Sequence, residues 1–408
     1  MVKTKPALRF AGFTDDWGKR KLGEIAEIVS GGTPSTAISS YWEGEIDWYA
    51  PAEIADQIYA YSSQKKITAE GYNNCSAKML PIGTVLFTSR AGIGKTVILA
   101  REGCTNQGFQ SIVPHKDALD SYFIFSRTEE LKAYGETTGA GSTFVEVSGK
   151  QMAAMELMMP STMDEQKSIG VFFAKLDHLI TLHQHKLEKL RSVKQFFLQS
   201  MFPQKGRSVP AIRFAGFTDA WEQRKLGELA DFSKGQGYTK SDLKKTGTPI
   251  ILYGRLYTKY QTIIREVDTF ADVINGAVFS KGGEVILPSS GETAEDIAIA
   301  SNVDKSGILL GGGLNIVTPH KELLPIFLAI ELSFAEPHNA LAKRAQGKTV
   351  VHLYNEDLKD VSILFPIEEE QSLIGSFFEQ IDHLITLHLR KLEKLRSIKQ
   401  FCLQNMFV

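Results

Sequence analysis

The chain repeats itself, and this constrains its fold more than any other feature. Residues 9–24 read RFAGFTDDWGKRKLGE and residues 213–228 read RFAGFTDAWEQRKLGE, identical at 13 of 16 positions. Residues 166–202 align with 371–407 at an offset of 205, with 26 of 37 positions identical. Their shared core is DHLITLH, from Asp177 to His183 and from Asp382 to His388, followed each time by KLEKLRS. A chain of 408 residues built this way folds as two like units in tandem. Between the matched segments the copies diverge. Residues 25–160 and 229–366 share only fragments, such as GTVLFTS from Gly83 to Ser89 against GEVILPS from Gly283 to Ser289. A further echo runs from Asn106 to Pro114 and from Gly311 to Pro319. Neutral drift would not spare helix surfaces while erasing domain cores. The pattern therefore predicts one scaffold geometry carrying two different binding surfaces.

The second repeat reads as a long helix. Ser161–Glu165 after Pro160 is a start signal with acidic residues in the first turn, and Pro203 and Gly206 are stop signals. Leu176, Leu179, Ile180, Leu187, Leu190, Val193, Phe197 and Met201 form an apolar stripe at three-four spacing. Its twin carries Ile381, Leu384, Ile385, Leu392, Leu395, Ile398 and Cys402. A helix of this length extends about 55 Å and leaves its stripe wet unless it finds a partner. The two copies are expected to pair as a coiled coil. His183, Lys194, His388 and Lys399 interrupt the heptads near the seam. The inserts read as α/β. Strands are predicted at Thr84–Ser89, Val97–Ala100 and Ser111–Val113, with counterparts at Val285–Leu287, Ile308–Leu310 and Asn315–Val317. Helices are predicted at Tyr122–Glu130 and Leu323–Phe334.

Composition excludes several classes. Cys75, Cys104 and Cys402 are far apart and form no C-x-x-C pair, so neither a zinc site nor a disulfide framework is expected. The first residues lack the apolar core of a signal peptide, and no apolar run is long enough for a bilayer. A soluble, cytoplasmic protein is expected. The net charge is −1. Residues 25–160 carry 10 basic against 15 acidic side chains and residues 229–366 carry 14 against 16, whereas 166–202 carry 6 against 2. A polyanion-binding face must then be local or shared with partners, because phosphate contacts demand cations.

Several catalytic signatures fail on inspection. Ala91–Thr96, AGIGKT, resembles a phosphate-binding loop, but Ser89 stands where the first glycine belongs and a β-branched stretch follows. The corresponding turn of the second copy drops Gly-Lys-Thr altogether. No Pro-Pro pair of an adenine-methylating tetrapeptide occurs, and none of the 14 prolines precedes aspartate as in a common nuclease motif. No G-x-S-x-G or H-E-x-x-H pattern is present. His178, His183 and His185 lack the i, i+4 spacing of a helical metal pair. What remains is a set of polar loop residues of the types that read base edges. In the first copy these are Ser89, Arg90, Lys95, Asn106, Gln107 and Gln110, with Tyr49 and Lys78 as outliers. In the second they are Arg255, Tyr257, Lys259, Ser289, Ser290 and Lys348.

Taken together, these segments resemble the specificity subunits of Type I restriction–modification systems. The carriers are W-x-x-x-x-L-G-E at Trp17–Glu24 and Trp221–Glu228, the run from Gly83 to Lys95, and the helices opened by Glu165-Gln166 and Glu370-Gln371. The resemblance covers essentially the whole chain. It implies α/β (α+β) target-recognition domains over residues 1–160 and 205–365, and spacer helices over 161–204 and 366–408. The helices would pair antiparallel with pseudo-twofold symmetry. Each domain would read one half of a bipartite double-stranded DNA target, and the helices would set the gap. Two methyltransferase subunits would dock, and restriction/translocase subunits would join them. S-adenosylmethionine, ATP and Mg would belong to those partners, with no cofactor, metal or catalytic residue in this chain. The competing reading is a self-contained DNA-modifying or nucleotide-using enzyme, with Lys95 and Thr96 in a phosphate role. A duplicated protein-interaction scaffold is a third.

Overall fold

The computed structural model describes residues 4–55, 57–90, 92–139, 146–345, 347 and 350–408. Contacts divide the chain into two units: Met1–His183 with Lys391–Val408, and Gln184–Arg390. The first unit therefore contains one insert, the start of its own long helix and the end of the other copy's.

In the first unit the central sheet has five strands, ordered Ala26–Ser30, Gln110–Pro114, Val85–Phe87, Thr96–Leu99 and Tyr59–Ala60. Pairing is antiparallel except at the last pair, which is parallel. The central strands Val85–Phe87 and Thr96–Leu99 are buried along their length, which accounts for their unbroken apolar sequence. The outer strand Ala26–Ser30 buries only Ala26 and Val29, one on each face, and exposes Glu27 and Ser30. Trp42–Tyr49 pairs with Lys65–Ile67 and Cys104–Thr105 in a second, smaller sheet. Burial there pushes the Cys104 thiol up to about 12, and all three cysteines are free.

The second unit repeats the plan. Ala230–Lys234, Leu314–Pro319, Glu284–Pro288, Ser301–Val303 and Ile263–Ile264 form a five-stranded sheet with the same pairing senses. Its second sheet has four strands, Phe270–Ala271, Thr248–Ile251, Ser306–Leu310 and Phe279–Lys281. One expected correspondence is corrected. Ile308–Leu310 lies in this second sheet, and Ser301–Val303 takes the place of Val97–Ala100. Short apolar runs look alike in sequence, and only the partner strand tells them apart. The helix expected over Tyr122–Glu130 is two helices, Ser121–Phe125 and Thr128–Thr138. Asp120 caps the first by accepting from the Phe123 N–H at 2.8 Å.

The two long helices run over Met163–Ser200 and Glu368–Asn405. Thr162 starts the first, its hydroxyl accepting from the Glu165 N–H at 3.3 Å. The Glu-Gln pair at each helix start binds the helix to its own domain. Glu165 is buried and takes two hydrogen bonds from Arg9, at 2.6 and 2.8 Å, and one from the Trp17 indole at 3.3 Å. Gln166 accepts from the Asp120 N–H at 3.1 Å and donates to the Ala118 carbonyl at 3.1 Å. Arg213 grips Glu370 with the same two distances, and Gln371 reaches the Leu324 N–H and the Glu322 carbonyl, each at 2.8 Å.

Within each unit the helix segments lie antiparallel. In the first, Lys399 pairs with Asp177 at 2.6 Å, and Phe407 meets Phe173 further toward that helix's start. In the second, Lys194 pairs with Asp382 at 2.5 Å, and Phe197 meets Phe377. The lysines that interrupt the heptads are thus half of a seam ion pair repeated in both units. Four aromatic rings close each core where the foreign helix end arrives. They are Trp17, Phe123, Phe173 and Phe407 in the first unit, and Trp221, Phe327, Phe378 and Phe202 in the second. Among the described residues no helix is long and apolar enough to cross a membrane.

The two seam pairs differ in burial. The Asp177 side chain is 7% exposed against 28% for Asp382. Stranding the more buried carboxylate costs more, so Lys399→Met should destabilise its unit by about 3 kcal/mol and Lys194→Met by about 1 kcal/mol. Thermal unfolding of the two variants checks the ranking, and a larger effect at Lys194 would contradict it.

Candidate nucleic-acid interface

In the first unit, Val85–Phe87 delivers Thr88 and Ser89 to a tight connection with Thr96–Leu99. Thr88 closes that turn. Its hydroxyl donates to the Gly92 carbonyl at 2.7 Å and accepts from the Lys95 N–H at 3.0 Å. Its carbonyl accepts from the Gly94 N–H at 3.0 Å, and Gly94 holds a positive φ of 98°. The segment is a hairpin turn followed by a strand. It presents no helix N-terminus to a phosphate, which corrects the phosphate-loop alternative. Thr96 is buried with its hydroxyl 2.6 Å from that of Thr128, and the Lys95 ammonium donates to the Ile54 carbonyl at 3.1 Å.

Ser89 is held by its main chain. Its N–H donates to the Gly108 carbonyl at 2.8 Å and its carbonyl accepts from the Val147 N–H at 3.1 Å. Ser289 in the second unit does the same with Gly313 at 2.8 Å and Leu353 at 3.1 Å. Both units also need a glycine where the first strand of the sheet crosses the loop behind the second. A side chain at Gly31 would lie 2.1 Å from the Asn106 carbonyl oxygen, and one at Gly235 would lie 2.0 Å from that of Gly311.

Side chains at these tips fall into two groups. Ser89, Gln110 and Tyr49 are buried, so the expectation that they face outward is corrected. Gln110 accepts from the Ser30 hydroxyl at 2.8 Å, and burial lifts the Tyr49 phenol above its ordinary range. Polar character in sequence does not separate a buried, strand-locking glutamine from a solvated one. Lys95 and Gln107 are exposed, and Arg90 and Asn106 are half-buried. Gln107 accepts from the Thr33 hydroxyl, and Asn106 accepts from the Gly108 N–H at 2.8 Å. Ser89, Asn106, Gln107 and Gln110 therefore share one loop cluster. Lys78 pairs with Glu27 at 3.8 Å, and Arg90 lies 3.9 Å from Glu146.

In the second unit Arg255 and Lys259 converge on Asp268, each at 2.6 Å. Those two bonds hold the Asp268 carboxyl well below the usual carboxylate range. Arg255 also donates to Gln261 at 3.1 Å. The Tyr257 hydroxyl donates to the Ser290 carbonyl at 2.7 Å, and burial lifts its phenol. Ser289 and Ser290 are half-buried, and Ser290 enters a two-stranded ribbon opposite His352. Lys348 lies outside the described residues. Sequence reading missed Tyr253 and Tyr354, both exposed near this ribbon and loop, and Lys234, whose ammonium sits 5.7 Å from the Tyr354 ring. Tyr253 precedes Gly254 and Tyr354 stands two residues after His352, and tyrosine is a residue type that stacks on bases. Among the described residues no group of three or more His, Cys, Asp or Glu is placed to hold a metal ion.

Two like frames with unlike tips match a known pattern. The sequence profile described as Type I restriction modification DNA specificity domain matches residues 14–192 and again 218–397. The chain belongs to that family. It is 31% identical over 248 residues to the Type I restriction enzyme MjaIX specificity subunit of Methanocaldococcus jannaschii, covering 56% of this chain and 55% of that protein. It is 27% identical over 172 residues to the EcoR124I/EcoR124II specificity subunit of Escherichia coli, covering 40% and 42%. The matched stretches thus span about half or less of these relatives' length. The crystal structure of a Type I restriction–modification system S subunit from M. genitalium superposes with a TM-score of 0.63 at 14% identity, covering 99% of both chains. This likeness shows a shared fold over the whole chain.

The crossings at Gly31 and Gly235 position the loops on either side. Gly31→Ala or Gly235→Ala should therefore destabilise its own unit by about 1–3 kcal/mol through overpacking. Hydrogen exchange should show faster opening at residues 104–110 or 310–314 respectively. Unchanged protection there would show that the crossing is not constrained.

Proposed function

We propose that this chain is the DNA sequence-recognition subunit of a Type I restriction–modification complex. Residues 1–160 and 205–365 each read one half of a bipartite double-stranded target. Residues 161–204 and 366–408 form the spacer that sets the gap and docks two methyltransferase subunits, which restriction/translocase subunits join. S-adenosylmethionine, ATP and Mg are bound by those partners in the cytoplasm, and this chain supplies the address. The observation that carries the reading is the pair of frames. Ser89 and Ser289 make equivalent main-chain bonds, while the candidate side chains around them differ: Arg90, Lys95, Asn106 and Gln107 in the first unit, and Arg255, Tyr257 and Lys259 in the second. That is the arrangement two different half-sites require. In the first unit Arg90, Lys95, Asn106 and Gln107 are the contact candidates, with Ser89 and Gln110 supporting them. In the second the candidates are Arg255, Tyr257, Lys259, Ser289, Ser290 and Lys348. The acidic balance of both inserts supports a phosphate clamp completed by partner subunits.

Three outcomes test this. Replacing residues 25–160 with the insert of another family member should change one half of the methylated sequence and leave the other half intact. Methylated-adenine sequencing reads this directly, and a change in both halves would sink the two-reader proposal. Inserting one helical turn of four residues after Lys186 and after Lys391 should lengthen the gap with both half-sites preserved. Altered half-sites would mean that the helices do not set the spacing. In the assembled complex, Lys259→Ala should weaken binding uniformly across sequences and reduce the salt slope by about 1. Loss at one base position alone would assign Lys259 to base readout instead.

A further inference from the structure

The main-chain frames around Ser89 and Ser289 place two further positions in register, and the residues there differ in kind. The Asn106 N–H donates to the Tyr49 carbonyl at 3.0 Å, and the Gly311 N–H donates to the Ile251 carbonyl at 2.9 Å. Two residues beyond these carbonyls stand Pro51 and Tyr253. A side chain added at Gly108 would lie 2.7 Å from the Pro51 ring, and one added at Gly313 would lie 2.7 Å from the Tyr253 ring. Gly108 and Gly313 are the residues whose carbonyls hold Ser89 and Ser289. On the other side of each serine, its carbonyl accepts from Val147 or Leu353, and the next residues are Ser148 and Tyr354.

Ser148 is used locally. It starts the helix Gly149–Ala154, its hydroxyl accepting from the Gln151 N–H at 3.3 Å. Tyr354 starts Asn355–Lys359, where the Asp357 N–H goes to the Tyr354 carbonyl at 3.0 Å and the side chain makes no cap. Serine is among the best residues at a helix start, so tyrosine forfeits a bond that the first unit makes. The Tyr354 ring is 46% exposed and the Tyr253 ring 41%. A local rule left unmet, with a large ring held toward solvent beside a candidate reading loop, points to function.

Both rings are braced on the protein side. Tyr253 lies against Gly313 and edge-on to Tyr257, with centroids 6.4 Å apart. Tyr354 stacks with His352 at 6.1 Å, and the exposed Lys234 places its ammonium 5.7 Å from the same ring. Sliding between base pairs takes both faces of a ring, and these rings do not offer both. Each can present a C–H edge to a groove. Among the unmodified bases only thymine carries a methyl group on its major-groove edge. Lys234 supplies a cation for a phosphate beside it.

We propose that Tyr253 and Tyr354 contact thymine 5-methyl groups in the half-site of the second unit, with Lys234 on an adjoining phosphate. This rests on the two-reader function proposed above. Pro51 and Ser148, at the matching positions of the first unit, offer no aromatic edge.

The test uses the assembled complex and fluorescent duplexes carrying its own target, with half-sites assigned by the domain exchange described above. Thymines of one half-site are replaced by deoxyuridine, which removes the methyl and keeps every hydrogen-bonding group. In the second unit's half-site this should weaken wild-type binding about four-fold per contacted methyl. Tyr253→Ala combined with Tyr354→Ala should weaken binding to the thymine duplex and abolish that sensitivity. Its response to deoxyuridine in the first half-site should match the wild type. Tyr→Phe at both positions should keep the sensitivity, since the ring edge remains. Wild-type indifference to deoxyuridine in the second half-site overturns the proposal, as does undiminished sensitivity in the double alanine variant. A second half-site with no thymine in either strand overturns it too. These outcomes leave the two-reader function standing, whereas a wild-type complex with no preference for its target would refute that function and this contact together.

Discussion

Neither hydrophobic core closes with residues from its own repeat alone. Phe407 stacks among Trp17, Phe123 and Phe173, and Phe202 occupies the same place among Trp221, Phe327 and Phe378. The seam ion pairs, Lys399 with Asp177 and Lys194 with Asp382, fix the register in which each foreign helix end arrives. A one-turn slip would strand a carboxylate, buried at Asp177 and half-buried at Asp382, and move a phenylalanine out of its ring cluster, so packing and charge select the same alignment. This requirement explains why the helices and the R-F-A-G-F-T-D openings are the segments that kept their sequence. Each must fit both its own domain and an end contributed by the other copy.

The same logic assigns the motifs by which the family is recognised. Trp17 and Trp221 are core residues, and Glu165 and Glu370 are buried anchors for half-buried arginines. Gln166 and Gln371 satisfy loop backbone that has no partner in a helix or sheet. Each is explained by burial and hydrogen bonding within its unit. The recognisable sequence is scaffold, and the divergent tips are the part that no motif describes.

The architecture was legible in the sequence where repetition or periodicity was strong. The tandem copies follow from a repeat of about two hundred residues, the long helices from three-four spacing, and the buried central strands from short apolar runs. The interface was less legible for three reasons. Gln110 and Ser89 have the chemistry of contact residues but are consumed inside the frame, and only three-dimensional burial reveals this. Arg255 and Lys259 read as free cations, yet Asp268, 13 and 9 residues away, holds both. The strand Ser301–Val303 was missed because its apolar content is a single valine, and its identity comes from pairing with Val285 and Ile286. Local pattern cannot supply any of these.

The bonds that fix Ser89 and Ser289 run through amide and carbonyl groups, which every residue except proline possesses in full. Exposed side chains beside them, such as Lys95 and Gln107, can therefore be exchanged without breaking these bonds, whereas the buried Ser89 cannot freely be enlarged. A lineage that must keep altering what it distinguishes gains from such indifference: novelty accumulates on the outermost atoms, and inherited stability is left undisturbed beneath.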